Sequence, residues 1–450
     1  MIKKTLSYLN KGNRRSARAK KNIAAMFALK GVSILCQLAV VPMTINYVSK
    51  YEYGIWITIS SLVAWLSFFD LGIGNGLRNK MIEAVETGKH RLAKVYVSTS
   101  YAIISIIVAC VWAVSVSASF FIDWCEVLNA RAGLRQELVW TVVIVVTNFS
   151  LLFVLGLNRT LLNAVQKPAV ASVFDTMTQL LLCVVLLVLI NTTSGSLINL
   201  ALAMGGTSML VLVASNIWTF NGVLKRYRPS VWSVRFRLGR GIMSTGLAFF
   251  LLQIIAIAFY ETNNLIITHF IGPDEVTVYN VAYKYMQVLM MVFTILIAPF
   301  WSAFAEANIN GDFVWMRSTV KTLVRFVAAL GLLGLAMVAV SPLFYRVWLQ
   351  GQVEVPILIT LLVFLFHIAN IWSTLWTQLL CGFGKIRLQM LMSTLCCLFY
   401  LPAAIFGCRY FGLAGLLCAS VLSFAVFTSW FGVMQVHKLI NRTAKGIWNK

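Results

Sequence analysis

Twelve apolar segments, each long enough to cross a lipid bilayer, follow one another along this chain of 450 residues. A membrane-spanning helix needs about 20 mostly apolar residues. The predicted spans are 22–48, 53–73, 94–122, 137–160, 169–191, 197–221, 241–270, 277–303, 320–343, 355–381, 387–408 and 412–436. Only 11% of the residues are charged, against roughly 25% in an average soluble protein. The sequence therefore predicts an all-α polytopic membrane protein and excludes an ordinary soluble domain.

Lysine and arginine are distributed very unequally between the two sides of the predicted spans. With the N-terminus in the cytoplasm, 30 of the 37 lie in or beside cytoplasmic segments, five lie on the opposite side and two lie within spans. Cytoplasmic loops of membrane proteins carry such an excess. Because the number of spans is even, both termini are predicted to be cytoplasmic.

The net charge of +23 is explained by this sidedness, so nucleic acid is not expected as a partner. The basic clusters at 14–21 and 225–240 are expected to rest on anionic lipid headgroups of the bilayer. The nine cysteines form no CxxC pair and the four histidines are scattered, which predicts no metal site. No phosphate-binding lysine loop occurs, so neither ATP nor another cofactor is predicted.

The two halves of the chain resemble each other at an offset of 223 residues, the difference between 275 and 52. At this offset Glu52 aligns with Glu275, and Gly88 aligns with Gly311. Such a repeat predicts two parallel six-helix bundles around a central cavity, which is the architecture of a transporter. The predicted segments are a basic cytoplasmic N-tail 1–21, a bundle 22–221, a basic cytoplasmic linker 222–240, a second bundle 241–436 and a cytoplasmic C-tail 437–450.

Among the charged residues within the predicted spans, five are candidates for a functional role: Lys30, Asp70, Asp175, Glu261 and Lys284. Placing a charge at the centre of a membrane helix costs about 2.5–3.5 kcal/mol, so such residues usually face a cavity or a partner. In the functional interpretation Lys30 and Lys284, one from each half, bind an anionic substrate in the cavity. Glu261, Asp175 and Asp70 then balance charge or couple transport to an ion.

A structural interpretation of the same charges stays open. Glu261 and Lys284 fall at similar predicted depths, and so do Arg159 and Asp175, so in this interpretation each couple could form an ion pair. Lys30 has no such acid at its depth, and its alternative role is to extend towards the cytoplasmic headgroups. Asn263, Asn264 and His367 add polar groups to the spans, either to line a sugar-binding cavity or to hydrogen-bond between helices.

The junction after the second span has an unusual sequence, FFDLGIGNGLRNK at residues 68–80. It follows no β-strand, which excludes a dinucleotide-binding loop. The glycines are expected to end the span and start an amphipathic surface helix whose apolar side chains, Leu77 and Met81 among them, face lipid. Together with Tyr53-Gly54, this junction resembles the polysaccharide transporter family, the O-antigen flippases of the multidrug/oligosaccharidyl-lipid/polysaccharide exporter superfamily.

The resemblance implies a transporter, not an enzyme, in the bacterial inner membrane. Its implied function is to move an undecaprenyl-pyrophosphate-linked oligosaccharide, an O-antigen or capsule repeat unit, from the cytoplasmic to the periplasmic leaflet by alternating access. Polymerase and chain-length proteins of the same lipopolysaccharide or polysaccharide biosynthesis pathway are its implied partners.

Two alternatives belong to other classes of function. An ion-coupled multidrug efflux antiporter of the same superfamily would share the fold, and Glu261 and Asp175 fit its need for acids. A membrane polysaccharide polymerase would need a large outward loop, whereas no outward connection exceeds about 15 residues in this assignment.

Overall fold

A computed structural model describes residues 14–66, 73–165, 167–239, 241, 261–385 and 387–449 of the chain. The described residues form helices and short turns, and no strand occurs among them. The helices are α1 (Arg14–Val48), α2 (Lys50–Ala64), α3 (Ile73–Glu86), α4 (His90–Ser119), α5 (Trp124–Val127), α6 (Arg135–Leu155), α7 (Leu157–Ala164), α8 (Pro168–Thr192), α9 (Leu197–Asn221), α10 (Thr262–Phe270), α11 (Pro273–Asn310), α12 (Phe313–Leu349), α13 (Ile357–Phe383), α14 (Arg387–Phe427) and α15 (Phe431–Ile440).

Nine helical stretches within the described residues are long and apolar enough to cross a membrane. The last of them contains the predicted spans 387–408 and 412–436, which are separated by a non-helical backbone at Gly412. Helices α2 and α10 cover parts of the second and seventh predicted spans, whose remainders extend into residues that are not described. The all-helical membrane fold is confirmed, and the total of twelve spans stays a prediction.

The described residues divide into two compact units. The N-terminal unit comprises the described residues within Met1–Ser49, Trp65–Trp124 and Ala132–Leu251, and the C-terminal unit comprises those within Lys50–Ala64, Cys125–Arg131 and Leu252–Lys450. Helix α2 therefore packs with the C-terminal unit, although it lies in the first half of the sequence. The predicted division into two halves at the 222–240 linker stays a prediction.

Within the N-terminal unit, α1 packs along α8 and α9 packs along α6. The linker is attached to the same unit, because the backbone N–H groups of Ser230 and Arg235 donate to the hydroxyls of Ser98 and Thr99, each at 3.0 Å. Within the C-terminal unit, α11 packs on α13 and on α2. This packing gives the charged residues of each unit their neighbours.

Helix α3 is amphipathic as expected, but its apolar face does not face lipid. Leu77 and Met81 are fully buried in a core cluster that includes Leu161 of α7 and Val97 of α4. The prediction of a lipid-facing side was wrong because the neighbouring helices offer a protein surface to the same side chains. On the exposed face, a hydrogen bond from Lys80 to Glu83, at 2.9 Å, raises the pKa of Lys80.

The internal repeat is visible in the backbone geometry at two equivalent helix ends. Gly88 and Gly311 both have φ of +70°, in the left-handed region that glycine occupies without a steric penalty. After Gly88 the N–H of Lys89 donates to the carbonyl of Ala84 at 2.8 Å, and after Gly311 the N–H of Asp312 donates to that of Ala307 at 2.9 Å. Each residue of the second end lies 223 positions after its counterpart, so the same capping motif ends both helices.

A very close backbone contact fixes α2 in the C-terminal unit. A Cβ atom added to Gly54 would lie 1.8 Å from the carbonyl oxygen of Pro273, the first residue of α11. The Thr277 hydroxyl donates to the carbonyl of Lys50 at 2.7 Å and reinforces the contact. Only glycine at position 54 allows the two helices to approach this closely.

Candidate functional site

A polar pocket of about 470 Å³ lies in the N-terminal unit, among α1, α6, α8 and α9 and the start of α7. Helix α1 contributes Ser33 and Gln37, and α8 contributes Asp175, Thr178 and Gln179. Residues three or four positions apart lie on one face of a helix, so α1 and α8 each present a polar face to the pocket. The volume is in the range of small-molecule sites, roughly 300–1,000 Å³.

An ion pair lies in the wall of this pocket. The Arg159 guanidinium, near the start of α7, donates a hydrogen bond to the Asp175 carboxylate of α8. This is the pairing predicted from their equal depths. Because the two charges compensate each other, the described lining carries no net charge, although it is rich in hydrogen-bonding groups.

Several of those hydrogen-bonding groups are available to a ligand. Gln37 and Gln179 have no hydrogen-bond partner in the described part of the chain. The hydroxyls of Thr178 and Ser208 donate to carbonyls of their own helices, at 3.0 Å in both, and keep their oxygens as acceptors. The pocket therefore offers amide donors together with amide and hydroxyl acceptors. Sequence reasoning missed Gln37 and Gln179, although two uncharged amides inside apolar spans were a visible signal.

The structure describes Lys30 only in part and does not describe Asp70. The backbone of Lys30 lies in α1, one helical turn before Ser33, at a spacing that places both positions on the same face of the helix. Nothing is described of the Lys30 side chain, and Asp70 lies outside the described residues. Their predicted roles in anion binding and charge balance stay predictions.

Lys284 has a well-defined environment in the C-terminal unit. Its ammonium group donates to the hydroxyl of Tyr53 at 2.9 Å and lies 5.6 Å from the centroid of the same ring. The aromatic ring attracts the cation, and only 1% of the Tyr53 surface is exposed. The side chain is thus held in one direction by a neutral partner.

The expected ion pair between Glu261 and Lys284 does not occur among the described ion pairs. Glu261 instead hydrogen-bonds to Ser61, which lies eight residues after Tyr53 on α2. At 1.5 Å per residue the two partners are about 12 Å apart along that helix. The prediction was wrong because the two charges contact α2 at different heights.

A chain of uncharged hydrogen bonds occupies the neighbourhood of Glu261. Asn264 donates to Ser61, and Asn280 donates to Asn264, each at 2.8 Å. Asn263 donates to Tyr279 at 3.2 Å. These bonds join α2, α10 and α11, so the asparagines form interhelical hydrogen bonds, which is the structural alternative considered for them.

Two further polar groups extend this region. The Tyr400 hydroxyl of α14 donates to Asn263, a contact that no sequence spacing indicated. His367 lies buried against the ring of Tyr283, with ring centroids 4.7 Å apart, and its Nδ1 pairs with the Val363 carbonyl at 2.9 Å. Among the described residues no three His, Cys, Asp or Glu side chains lie together in a way that would hold a metal ion.

The chain is similar in sequence and in fold to known transporters. It is 22% identical over 407 residues to a candidate O-antigen transporter of Salmonella typhimurium (strain LT2), covering 88% of this chain and 90% of that protein. An inward-facing multidrug resistance MATE transporter of the MOP superfamily superposes with a TM-score of 0.71 at 13% identity, covering 93% of this chain and 96% of the other.

The lipid II flippase MurJ, in an inward closed conformation, superposes with a TM-score of 0.69 at 8% identity, covering 94% of this chain and 93% of the other. These two structural likenesses show a shared fold. The family described as "Polysaccharide biosynthesis protein" matches residues 19–303, well over half of the chain. The chain belongs to this polysaccharide biosynthesis family.

Proposed function

We propose that the protein is a flippase that moves an undecaprenyl-pyrophosphate-linked oligosaccharide from the cytoplasmic to the periplasmic leaflet by alternating access. The observation that carries the proposal is the polar pocket among helices long enough to span a membrane, in a chain of the polysaccharide biosynthesis family. The related O-antigen transporter of Salmonella supports a lipid-linked glycan as the cargo. A pocket of this kind gives the hydrophilic part of such a lipid a polar path, while its hydrocarbon tail stays in the bilayer.

Lys284 and Lys30 are the proposed partners of the pyrophosphate group. An ammonium group has three N–H donors, and the Tyr53 hydroxyl uses one of those on Lys284. The others are free to bind phosphate oxygens. A multiply charged anion cannot enter an apolar region without such compensation.

The acidic residues have different proposed roles. Asp175 is balanced by Arg159, which fits charge balance within the pocket. Glu261 has a hydrogen bond from Ser61 and no cation partner among the described ion pairs. It is the proposed site for a coupling ion, and Asp70 is a second candidate for charge balance or ion coupling.

The protein is an integral membrane protein, and we place it in the bacterial inner membrane with both termini in the cytoplasm. The excess of cytoplasmic lysine and arginine supports this orientation. Polymerase and chain-length proteins of the same pathway are the proposed partners, because a flipped repeat unit must be polymerised after it reaches the periplasmic leaflet.

A multidrug efflux antiporter is the second candidate. The MATE-like fold and the acid at position 261 favour it. The compensated charge of the polar pocket favours the glycan, because an organic cation needs an acid without an adjacent cation.

The deciding experiment is leaflet-resolved analysis of undecaprenyl-pyrophosphate glycans in cells that lack the gene. Accumulation of single repeat units on the inner leaflet is the expected result. Accumulation on the outer leaflet would instead indicate a polymerase or a ligase. Unchanged glycans together with increased drug sensitivity would favour the antiporter.

A further inference from the structure

We propose that the polar pocket of the N-terminal unit is the sugar-recognition site, and that it selects an uncharged sugar residue of the glycan through Gln37 and Gln179. The inference rests on the proposed function and adds what this pocket recognises. It separates sugar recognition from binding of the pyrophosphate.

The charge of the pocket argues for an uncharged ligand. Arg159 and Asp175 form the ion pair in its described lining, and they neutralise each other. A pyrophosphate group would have to compete with Asp175 for the guanidinium, and an organic cation would have to compete with Arg159 for the carboxylate. A sugar hydroxyl can donate to the carboxylate or accept from the guanidinium without separating them.

The amides of Gln37 and Gln179 fit the same ligand. A primary amide has two N–H donors and a carbonyl acceptor in one plane, and neighbouring sugar hydroxyls present donors and acceptors side by side. Neither glutamine has a hydrogen-bond partner in the described part of the chain. Both side chains are partly exposed in the lining of the pocket, so their donors and acceptors are available to a ligand that pairs with both amides.

An aromatic ring completes the lining. Phe174 lies in the pocket wall, and its ring is held at 6.0 Å, edge to face, against that of Trp218 on α9. The apolar C–H face of a pyranose can pack on such a ring while its hydroxyls reach the amides.

A second cavity in the same unit provides a contrast. It has a volume of about 570 Å³, and the surface that it exposes is almost entirely apolar, with Val108, Leu151 and Val213 in its lining. That cavity suits hydrocarbon. The two cavities are therefore chemically different, and only the polar one matches a sugar.

The test is saturation-transfer difference NMR on the full-length protein in lipid nanodiscs, with a panel of uncharged methyl hexosides and methyl N-acetylhexosaminides as probes. At least one glycoside is expected to bind. Gln37→Met and Gln179→Met keep the side-chain length and remove the hydrogen bonds, so each is expected to weaken binding about three- to tenfold. Gln287→Met on α11, in the C-terminal unit, is the matched control and is expected to leave glycoside binding unchanged.

Competition and a charge-changing variant sharpen the test. Inorganic pyrophosphate and tetraphenylphosphonium are expected not to displace the glycoside from the wild-type protein. In Asp175→Asn the Arg159 guanidinium loses its compensating charge, so pyrophosphate is expected to compete with the glycoside. This result does not depend on the folding of the glutamine variants.

The inference is overturned if no uncharged glycoside binds, if either charged probe displaces the glycoside from the wild-type protein, or if pyrophosphate still fails to compete in Asp175→Asn. Its failure is distinguishable from that of the proposed function. If repeat units accumulate on the inner leaflet in the deletion strain but no glycoside binds, only the assignment of the pocket to sugar recognition is rejected. If a glycoside binds but no repeat units accumulate, only the proposed flippase function is rejected.

Discussion

Ser49 and Gly272 occupy equivalent backbone positions 223 residues apart, with φ of 128° and 134°. Each is the last residue before a helix, since α2 begins at Lys50 and α11 begins at Pro273. Glycine adopts such a conformation readily, whereas a residue with a Cβ is strained in it. The two halves therefore share this backbone conformation, although position 49 carries serine and not the glycine that suits it best.

Placing glycine at position 49 and, in a second variant, serine at position 272 tests whether the backbone is strained at these positions. We expect Ser49→Gly to raise the free energy of unfolding by about 1 kcal/mol and Gly272→Ser to lower it by a similar amount. A Cβ at Gly272 meets no atom within 4 Å, so the second variant isolates the backbone term. The measurement is the thermal unfolding temperature in detergent, and equal temperatures for all three proteins would show that neither position is strained.

The contact between Gly54 and Pro273 predicts a large effect from a single methyl group. Gly54→Ala places its Cβ where the Pro273 carbonyl lies, and we expect a loss of about 3 kcal/mol or of most folded protein. Gly31→Ala is the matched control, because a Cβ there meets no atom within 4 Å. Size-exclusion profiles of the two variants, expressed in parallel, make the comparison. Similar yields of monodisperse protein from both would contradict the packing argument.

Lys284 is predicted to be needed for transport and not for folding. Lys284→Met is expected to reduce glycan export at least about tenfold at normal protein levels, because the pyrophosphate loses a charge-assisted partner. Tyr53→Phe removes only the hydroxyl acceptor and is expected to keep most export. Lys321→Met, on the exposed side of α12, is the control. Surface glycan measured at matched expression decides, and full export by Lys284→Met would exclude the proposed anion site.

Charge-exchange variants of Arg159 and Asp175 test whether Asp175 balances charge or carries a coupling ion. Arg159→Asp and Asp175→Arg each leave two like charges in the pocket and are expected to abolish most export. The double variant restores neutrality and is expected to regain at least about half of it, because a neutral pocket is the proposed requirement. If Asp175 instead carries a coupling ion, the double variant will remain as inactive as the single ones.

The predicted orientation can be measured at the C-terminus. A fused green fluorescent protein is expected to fluoresce there, and a fused alkaline phosphatase is expected to be inactive, because both reporters would lie in the cytoplasm. Active phosphatase would reverse the assignment of every loop.

The fold was predictable from sequence because long apolar helices have a clear signature in both length and charge distribution. The equal depths of Arg159 and Asp175 also sufficed to predict their contact. The same reasoning gave a wrong pair for Lys284, because depth alone does not show that α2 packs against both α10 and α11 and supplies Tyr53 and Ser61 instead. The packing of α2 against α11 depends on the close approach of Gly54 to Pro273. In the sequence, only the glycine itself indicates this approach.

The polar pocket was only partly predictable. Asp175 was identified by its charge, whereas Gln37 and Gln179 carry none and were overlooked. Their role depends on α1 and α8 packing with their polar faces towards each other. Helical spacing within each segment can indicate those faces, but which faces meet is decided by the contacts between helices.

The compensated charge of Arg159 and Asp175 has a consequence for a protein that is surrounded by other lipids. Phospholipids with anionic headgroups greatly outnumber any glycan carrier in a bacterial membrane, and an uncompensated cation in an open pocket would attract them. In the described lining of the pocket, the neutralised pair gives those headgroups no electrostatic reason to bind. The pair would thus protect the site from blockage by the membrane's own lipids and leave it open to a rare cargo.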